Sequence, residues 1–319
     1  MDNTFGTIVS YRPDIKVVDA TLRDGGLVNN FGFTTEFVKD LYKTNIAAGV
    51  DYMEFGYKAS KDIFDPKDFG KWKFSNEDDI REIVGDNDSD LKICVMADVG
   101  RTDYKRDIIN KEDSVIDMIR VATYIHQIPT AIDMISDAKA KGYEVTVNLM
   151  AVSKVDDENL DNGLELLAKS DADCIYLVDS FGAFYPEQVR RLTARYMAAA
   201  ARYGKKIGVH AHNNQQLAFA NTIEAAINGA SYLDATMSGM GRGAGNYMEQ
   251  LLSFLRNPKY NLIPVMDFVE KHMNKLKEGP DKWGFDLPYL LTGVLNSHPS
   301  SAIKCIKEGR TDYSRFYQE

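Results

Sequence analysis

Eight short β-rich runs, nearly all apolar, alternate with amphipathic helical patterns along most of this chain. The runs cover residues 16–21, 52–56, 91–97, 118–123, 144–150, 174–179, 207–212 and 232–236. Helical patterns fall between them at 35–48, 129–141, 158–169, 186–203 and 215–228. A strand that is apolar on both faces must be covered on both faces, which selects a parallel sheet wrapped by helices. Eight such units predict an α/β fold, a closed (β/α)8 TIM barrel. The alternative is an open doubly wound sheet, but no G-x-G-x-x-G follows the first run, which weakens its dinucleotide-binding version. Pro186 stands in the first turn of its helix, and AKGYEV and INGASY each place glycine between a helix and the next strand. The least regular unit is RTDYKRDIINKED, between the third and fourth strands. Residues 1–257 are read as the catalytic barrel. Residues 258–319, interrupted by Pro264, Pro280, Pro288 and Pro299, are read as a short C-terminal helical extension packed on it.

Charge narrows the function classes. A net charge of −9 argues against a nucleic-acid partner, while leaving room for a small anion held by local arginines. No apolar stretch approaches the length of a membrane span, and MDNTFGTIVSYRPD lacks a signal-peptide layout. Cys94 and Cys174 lie in strand-like runs and read as core residues, so a cytoplasmic setting is expected. The acidic segment 76–90 reads as a solvated helix face with its loop.

Chemistry gathers where the strands end. The first run leads into Asp19-Ala-Thr-Leu-Arg23-Asp24-Gly-Gly, and later runs end on Glu54, Asp98, Asn148, Asp179 with Ser180, His210 with His212, and Asp234 with Thr236. In a barrel these ends converge on one cavity, and a mere scaffold needs no such concentration of polar groups. Side chains two apart on a strand share a face, so His210 and His212 offer two imidazoles to one point. With Asp24 they form a two-imidazole, one-carboxylate ligand set with open positions, which suits Mn²⁺, Co²⁺, Zn²⁺ or Fe²⁺ better than Mg²⁺. Arg23 would bring a fixed positive charge suited to a developing oxyanion or enolate. Glu54, Asn148, Asp179 and Thr236 are the candidate substrate contacts. The run SGMGRGAGN has four glycines in nine residues and follows the eighth strand, where barrels often bind phosphate or close over substrate.

Three segments in this order, VDATLRDGG at 18–26, GVHAHNN at 208–214 and SGMGRGAGN at 238–246, resemble one family. It is the DRE-TIM metallolyase (HMGL-like) family, and the likeness extends over about residues 15 to 257. Its hydroxymethylglutaryl-CoA lyase, isopropylmalate and homocitrate synthase, and 4-hydroxy-2-oxovalerate aldolase branches share that first strand. The aldolase branch is the most similar, also on IYLVDSFGAFYPEQV. The resemblance implies a divalent metal, often Mn²⁺ in that branch, on Asp24, His210 and His212. It implies that Asn246 supports or completes that site, and that Arg23 steadies the enolate. The implied reaction is retro-aldol cleavage next to a 2-oxo acid, or its reverse, through a pyruvate enolate. Family aldolases often pair with an aldehyde-consuming dehydrogenase, but neither that surface nor a homodimer interface is marked in this sequence.

The chain departs from the aldolase pattern in two places. Gly26-Leu-Val-Asn-Asn30 stands where the branch carries its proton-transfer histidine, and Leu295 falls near its substrate-orienting tyrosine. Tyr289 and His298 are the nearby candidates for those tasks if the tail folds over the barrel mouth. The first rival reading is a Claisen-type condensing enzyme using an acyl-CoA. The second is a barrel that keeps its metal and serves as a binding module.

Overall fold

The computed structural model describes residues 12–242, 245–255 and 257–319. The first eleven residues of the N-terminal segment, and Gly243 and Ala244 of the glycine-rich run, lie outside the described residues. Eight parallel strands close into a barrel in sequence order, the first pairing with the eighth. They are β1 (Lys16–Asp19), β2 (Tyr52–Tyr57), β3 (Lys92–Asp98), β4 (Met118–Thr123), β5 (Glu144–Leu149), β6 (Cys174–Asp179), β7 (Lys206–Ala211) and β8 (Tyr232–Ala235). The strand residues are almost entirely buried, as expected of a sheet covered on both faces. Each expected strand is present, β4 and β6 with the expected limits and the other six with one or both ends moved by a residue or two. Cys94 and Cys174 are buried and unpaired.

The first strand is where the expected limits differ most in consequence. It stops at Asp19, and a helix, α1 (Thr21–Asn29), begins two residues later. The carboxylate of Asp19 accepts from the backbone N–H of Thr21 at 3.0 Å and from its hydroxyl, which turns the chain at once. Arg23 and Asp24 therefore sit in the first turn of a helix lying across the C-terminal mouth, not on the strand.

The second helix, α2 (Thr35–Ala48), is capped by the Thr34 hydroxyl, which accepts from Phe37 N–H at 3.2 Å. At the end of β2 the pairing with β3 shifts between Glu54 and Tyr57. Gly56 has φ +104° there, and a Cβ would fall 2.0 Å from the Trp72 carbonyl oxygen. Glycine thus permits the irregularity that carries Tyr57 to the cavity. The acidic segment forms α3 (Glu77–Val84), and the weak unit after β3 holds only a single helical turn, α4 (Tyr104–Asp107), with a 3₁₀ turn at Lys111–Asp113.

Outside the barrel run α5 (Ile128–Ala140), α6 (Asp157–Lys169), α7 (Pro186–Ala201), α8 (Ala218–Ile227) and α9 (Met248–Leu255). The tail is helical, with α10 (Ile263–Phe268), a π-helical turn at Val269–Met273, α11 (Asn274–Glu278), α12 (Leu287–Val294), α13 (Ser300–Lys307) and α14 (Tyr313–Gln318). It packs on the barrel at several points. Phe268 meets Phe37 of α2 with ring centroids 5.1 Å apart, and Trp283 Nε1–H donates to the Ser238 carbonyl at 3.1 Å. Asn296 donates to the Ser153 carbonyl at 2.9 Å, so α12 is brought beside the cavity mouth. No helix among the described residues is long and apolar enough to cross a membrane.

Candidate metal centre and active site

Asp24, His210 and His212 converge at the C-terminal mouth, their potential ligand atoms all within 4.8 Å of one another and all three residues buried. Each is aimed by a partner behind it. His210 Nδ1 contacts Asp234 Oδ2 at 2.9 Å, and His212 Nδ1 donates to the Asp179 carbonyl at 2.9 Å. A hydrogen bond on Nδ1 leaves Nε2 of His212 to face the centre, which is how metal-binding histidines are held, while Nε2 of His210 also lies 3.4 Å from Arg23 Nη2. His212 Nε2 then lies 3.6 Å from Asp24 Oδ1. Asp24 Oδ2, His212 Nε2 and Asn246 Oδ1 are buried with no hydrogen-bond partner. Orphan acceptors of that kind are costly, and those of Asp24 and His212 belong to the one cluster, where a group between them would supply the missing partner. A divalent cation fits this donor set. Gly241 closes over it so tightly that a Cβ there would stand 2.2 Å from Asp24 Oδ2.

Burial would raise the Asp24 carboxyl, but Arg23 and the two imidazoles overcome it and hold the group far below the ordinary carboxylate range. Burial, reinforced by Arg23, lowers His210 to about 4, which favours the neutral imidazole that metal binding would require.

Beneath the centre lies a chain of buried charges. Arg23 Nε donates to Glu54 at 2.9 Å and its Nη1 to Asp24 at 3.0 Å. Arg120, wholly buried, bridges Glu54 at 2.9 Å and Asp234 at 2.6 Å. This network locks both Arg23 and the Asp234 that aims His210. Arg120 went unnoticed in the sequence, although a charge inside the apolar run MIRVAT was a usable signal, because a buried arginine requires carboxylate partners.

Above the centre opens a cavity of about 310 Å³, lined among others by Arg23, Asp24, Tyr57, Lys73, Asp98, Arg101, Asn148, His210, His212, Arg242 and His298. Of the four expected substrate contacts only Asn148 reaches it. Glu54 stands behind Arg23. Asp179 turns into its own loop, accepting from the amides of Ala183 at 2.9 Å and Phe184 at 3.2 Å, and burial raises its carboxyl to about 6. Thr236 lies under the glycine-rich run, its hydroxyl 2.8 Å from where a Gly245 Cβ would be. Side-chain alternation and tight turns at the strand ends put these three behind the wall. Asn246 donates to Thr222 Oγ1 at 3.1 Å and to the Asp234 carbonyl at 3.2 Å.

The two tail candidates separate. His298 stands at the cavity mouth, its ring edge-on to Phe181 with centroids 5.9 Å apart. Burial, with the charges of Arg242, His212 and Arg101, lowers its pKa. Tyr289 is instead buried in the tail's own small core with Ala302, Cys305 and Phe316, and is not among the cavity's lining residues. The helix that carries it presents that face to its neighbours in the tail. Leu295, near the position of the branch's tyrosine, is exposed.

The HMGL-like family profile matches residues 14–262. The chain belongs to the HMGL-like family. It is 29% identical to a 4-hydroxy-2-oxovalerate aldolase of Carboxydothermus hydrogenoformans, over 93% of this chain and 89% of that protein. It is 27% identical to an oxaloacetate decarboxylase of Mycobacterium tuberculosis, over 85% and 79% of the two chains. Among solved structures, the N-terminal domain of a Bacteroides vulgatus protein assigned as an aldolase superposes with a TM-score of 0.77 at 28% identity, over 92% of this chain and 97% of that one. HMGL-like relatives of this kind are carbon–carbon lyases, the enzyme class to which the sequence pointed.

Proposed function

We propose that this HMGL-like barrel is a divalent-metal-dependent aldolase that makes or breaks the C–C bond next to a 2-oxo acid, with a pyruvate enolate as intermediate. The observation that carries the proposal is the Asp24–His210–His212 cluster flanked by a locked arginine on the floor of a cationic cavity. The fit of this donor set supports a resident divalent ion, Mn²⁺ before Zn²⁺, Co²⁺ or Mg²⁺. Such an ion, when bound, supplies Lewis-acid polarisation of the 2-oxo group. Asn246 would support or complete its ligand set through the buried Oδ1.

Arg23 faces the same point with its guanidinium held by two carboxylates, so no reorganisation is needed to meet an enolate oxygen as charge develops. Asn148 would hydrogen-bond the substrate from the opposite wall. His298 is proposed to handle the hydroxyl proton. Its Nδ1 accepts from the Ser300 amide at 3.2 Å, which leaves the proton on Nε2, so it serves as base only after a ring rotation frees a lone pair. The small 2-oxo acid is the proposed substrate, in a cytoplasmic setting suited to three unpaired cysteines.

The test is exchange of pyruvate methyl protons into D₂O by manganese-loaded protein, followed by NMR. Exchange that disappears in Asp24→Asn and His212→Gln is expected. No exchange above the metal-only background would overturn the proposal and favour a binding role. Thiol release from acetyl-CoA with a 2-oxo acid would favour the condensing reaction instead.

A further inference from the structure

The cavity carries more positive charge than one carboxylate requires. Arg23 is already paired with Asp24 and Glu54. Lys73 is different: it is buried, lines the cavity and has no carboxylate ion pair among the described residues. Its ammonium lies among four aromatic rings, 4.2 Å from the Phe64 centroid and 4.6 Å from that of Tyr57. Arg242 also lines the cavity, and its Nε is buried with no hydrogen-bond partner. Arg101, at the open side of the cavity with its side chain 62% exposed, has among the described residues only Asp98 as a carboxylate neighbour, at 4.0 Å.

The three cations share one space. Lys73 is destabilised by burial and by Arg101 and helped only by Asp98, while Arg101 and Arg242 both act on His298. Among the described residues, Asp98 is the one carboxylate set between these three cations, and an ammonium kept out of water as Lys73 is, with no ion pair of its own, costs free energy unless a ligand brings the charge. Rings can hold an ammonium in place, but they do not neutralise it. Arginine and lysine together are the usual recognition set for carboxylate and phosphate.

We propose that Lys73, Arg101 and Arg242 bind a second anionic group of the substrate, a carboxylate or phosphate at the end remote from the 2-oxo acid. The aldehyde partner would then be an anionic aldehyde. The proposal rests on the aldolase reading for which fragment carries the charge, but not for the binding of the charge itself.

The test separates the two. Calorimetry with manganese-loaded protein compares 2-oxoglutarate with 2-oxopentanoate, which differ by a terminal carboxylate in place of a methyl group. At least tenfold tighter binding of 2-oxoglutarate is expected, with Lys73→Met and Arg242→Gln each bringing the ratio toward one. Equal affinities, or a preference that survives both substitutions, would overturn the proposal. In aldol addition of pyruvate, succinic semialdehyde and glycolaldehyde phosphate should each be tested against butanal. Preference for either anion supports the proposal and identifies the group, while preference for butanal overturns it. Pyruvate proton exchange needs no aldehyde, so its absence would remove the aldolase reading while the binding comparison still decides the anion site.

Discussion

Replacing Arg120 with methionine strikes the charge network on which the site rests. The guanidinium is wholly buried and shared by Glu54 at 2.9 Å and Asp234 at 2.6 Å. Methionine keeps much of the apolar stem but leaves both carboxylates with one cation fewer. Neither becomes bare, since Arg23 still holds Glu54 and His210 still contacts Asp234. Removing one partner of a buried pair costs about 3–5 kcal/mol, and a cation serving two carboxylates belongs in the upper half of that range. At about 2.1 cal/mol/K of unfolding entropy per residue, a chain of 319 residues shifts its Tm by about 1.5 °C per kcal/mol, so a fall of roughly 6–8 °C is expected. Most of the deficit is uncompensated charge, not lost packing. Arg120→Met combined with Asp234→Asn should therefore recover a large part of it, because Glu54 retains Arg23. Thermal and urea unfolding of the three proteins at neutral pH gives the comparison. A single variant within about 2 °C of the parent, or a double variant no better than the single, would refute the reasoning, taking the same scale as above.

Three further outcomes are expected. Gly241→Ala would force a methyl group to within 2.2 Å of Asp24 Oδ2, so Mn²⁺ affinity by calorimetry should weaken at least tenfold with the fold retained; unchanged affinity would show that the loop yields. Asp19 is raised by burial to about 6, so its stabilising contribution is complete below the unfolded value near 3.8 and is lost as pH rises through 6, a penalty of about 3 kcal/mol at neutral pH. Asp19→Asn, helped by a reorientation of Asn45 whose Oδ1 lacks a partner, should then gain stability over the parent between pH 4 and pH 7.5; a gap that stays constant in urea midpoints would contradict this. His298→Gln should lower aldol turnover at least tenfold while metal content, measured by elemental analysis, is unchanged, and an unaltered rate would remove it from proton transfer.

Much of the site could be read from the linear chain because barrel geometry makes strand ends meet. Two histidines two apart in extended chain, His210 on β7 and His212 just past its end, share a face, and a carboxylate following β1 must arrive at the same mouth. That reasoning expected Asp24, His210, His212 and Arg23 to meet, and the structure brings them together even though the strand limit at Thr21 was two residues too long. It failed where a polar group at a strand end has another use. Asp179 closes a turn and Glu54 backs an arginine, and both look identical to substrate contacts in sequence. Lys73 and Arg101 were hidden for the opposite reason, since charged residues on long polar loops look like ordinary surface.

The order of elements, the parallel barrel and the candidate ligand set were decided by the sequence itself, because they follow from apolar periodicity and from which side chains each strand carries to its end. The pairing of Arg120 with residues 66 and 114 positions away, the placing of Tyr289 in the tail core and the gathering of three cations above the Asp24–His210–His212 cluster were decided only by tertiary structure. Those contacts depend on how loops and a separate helical tail pack across the barrel mouth. Local propensity carries no record of such long-range packing.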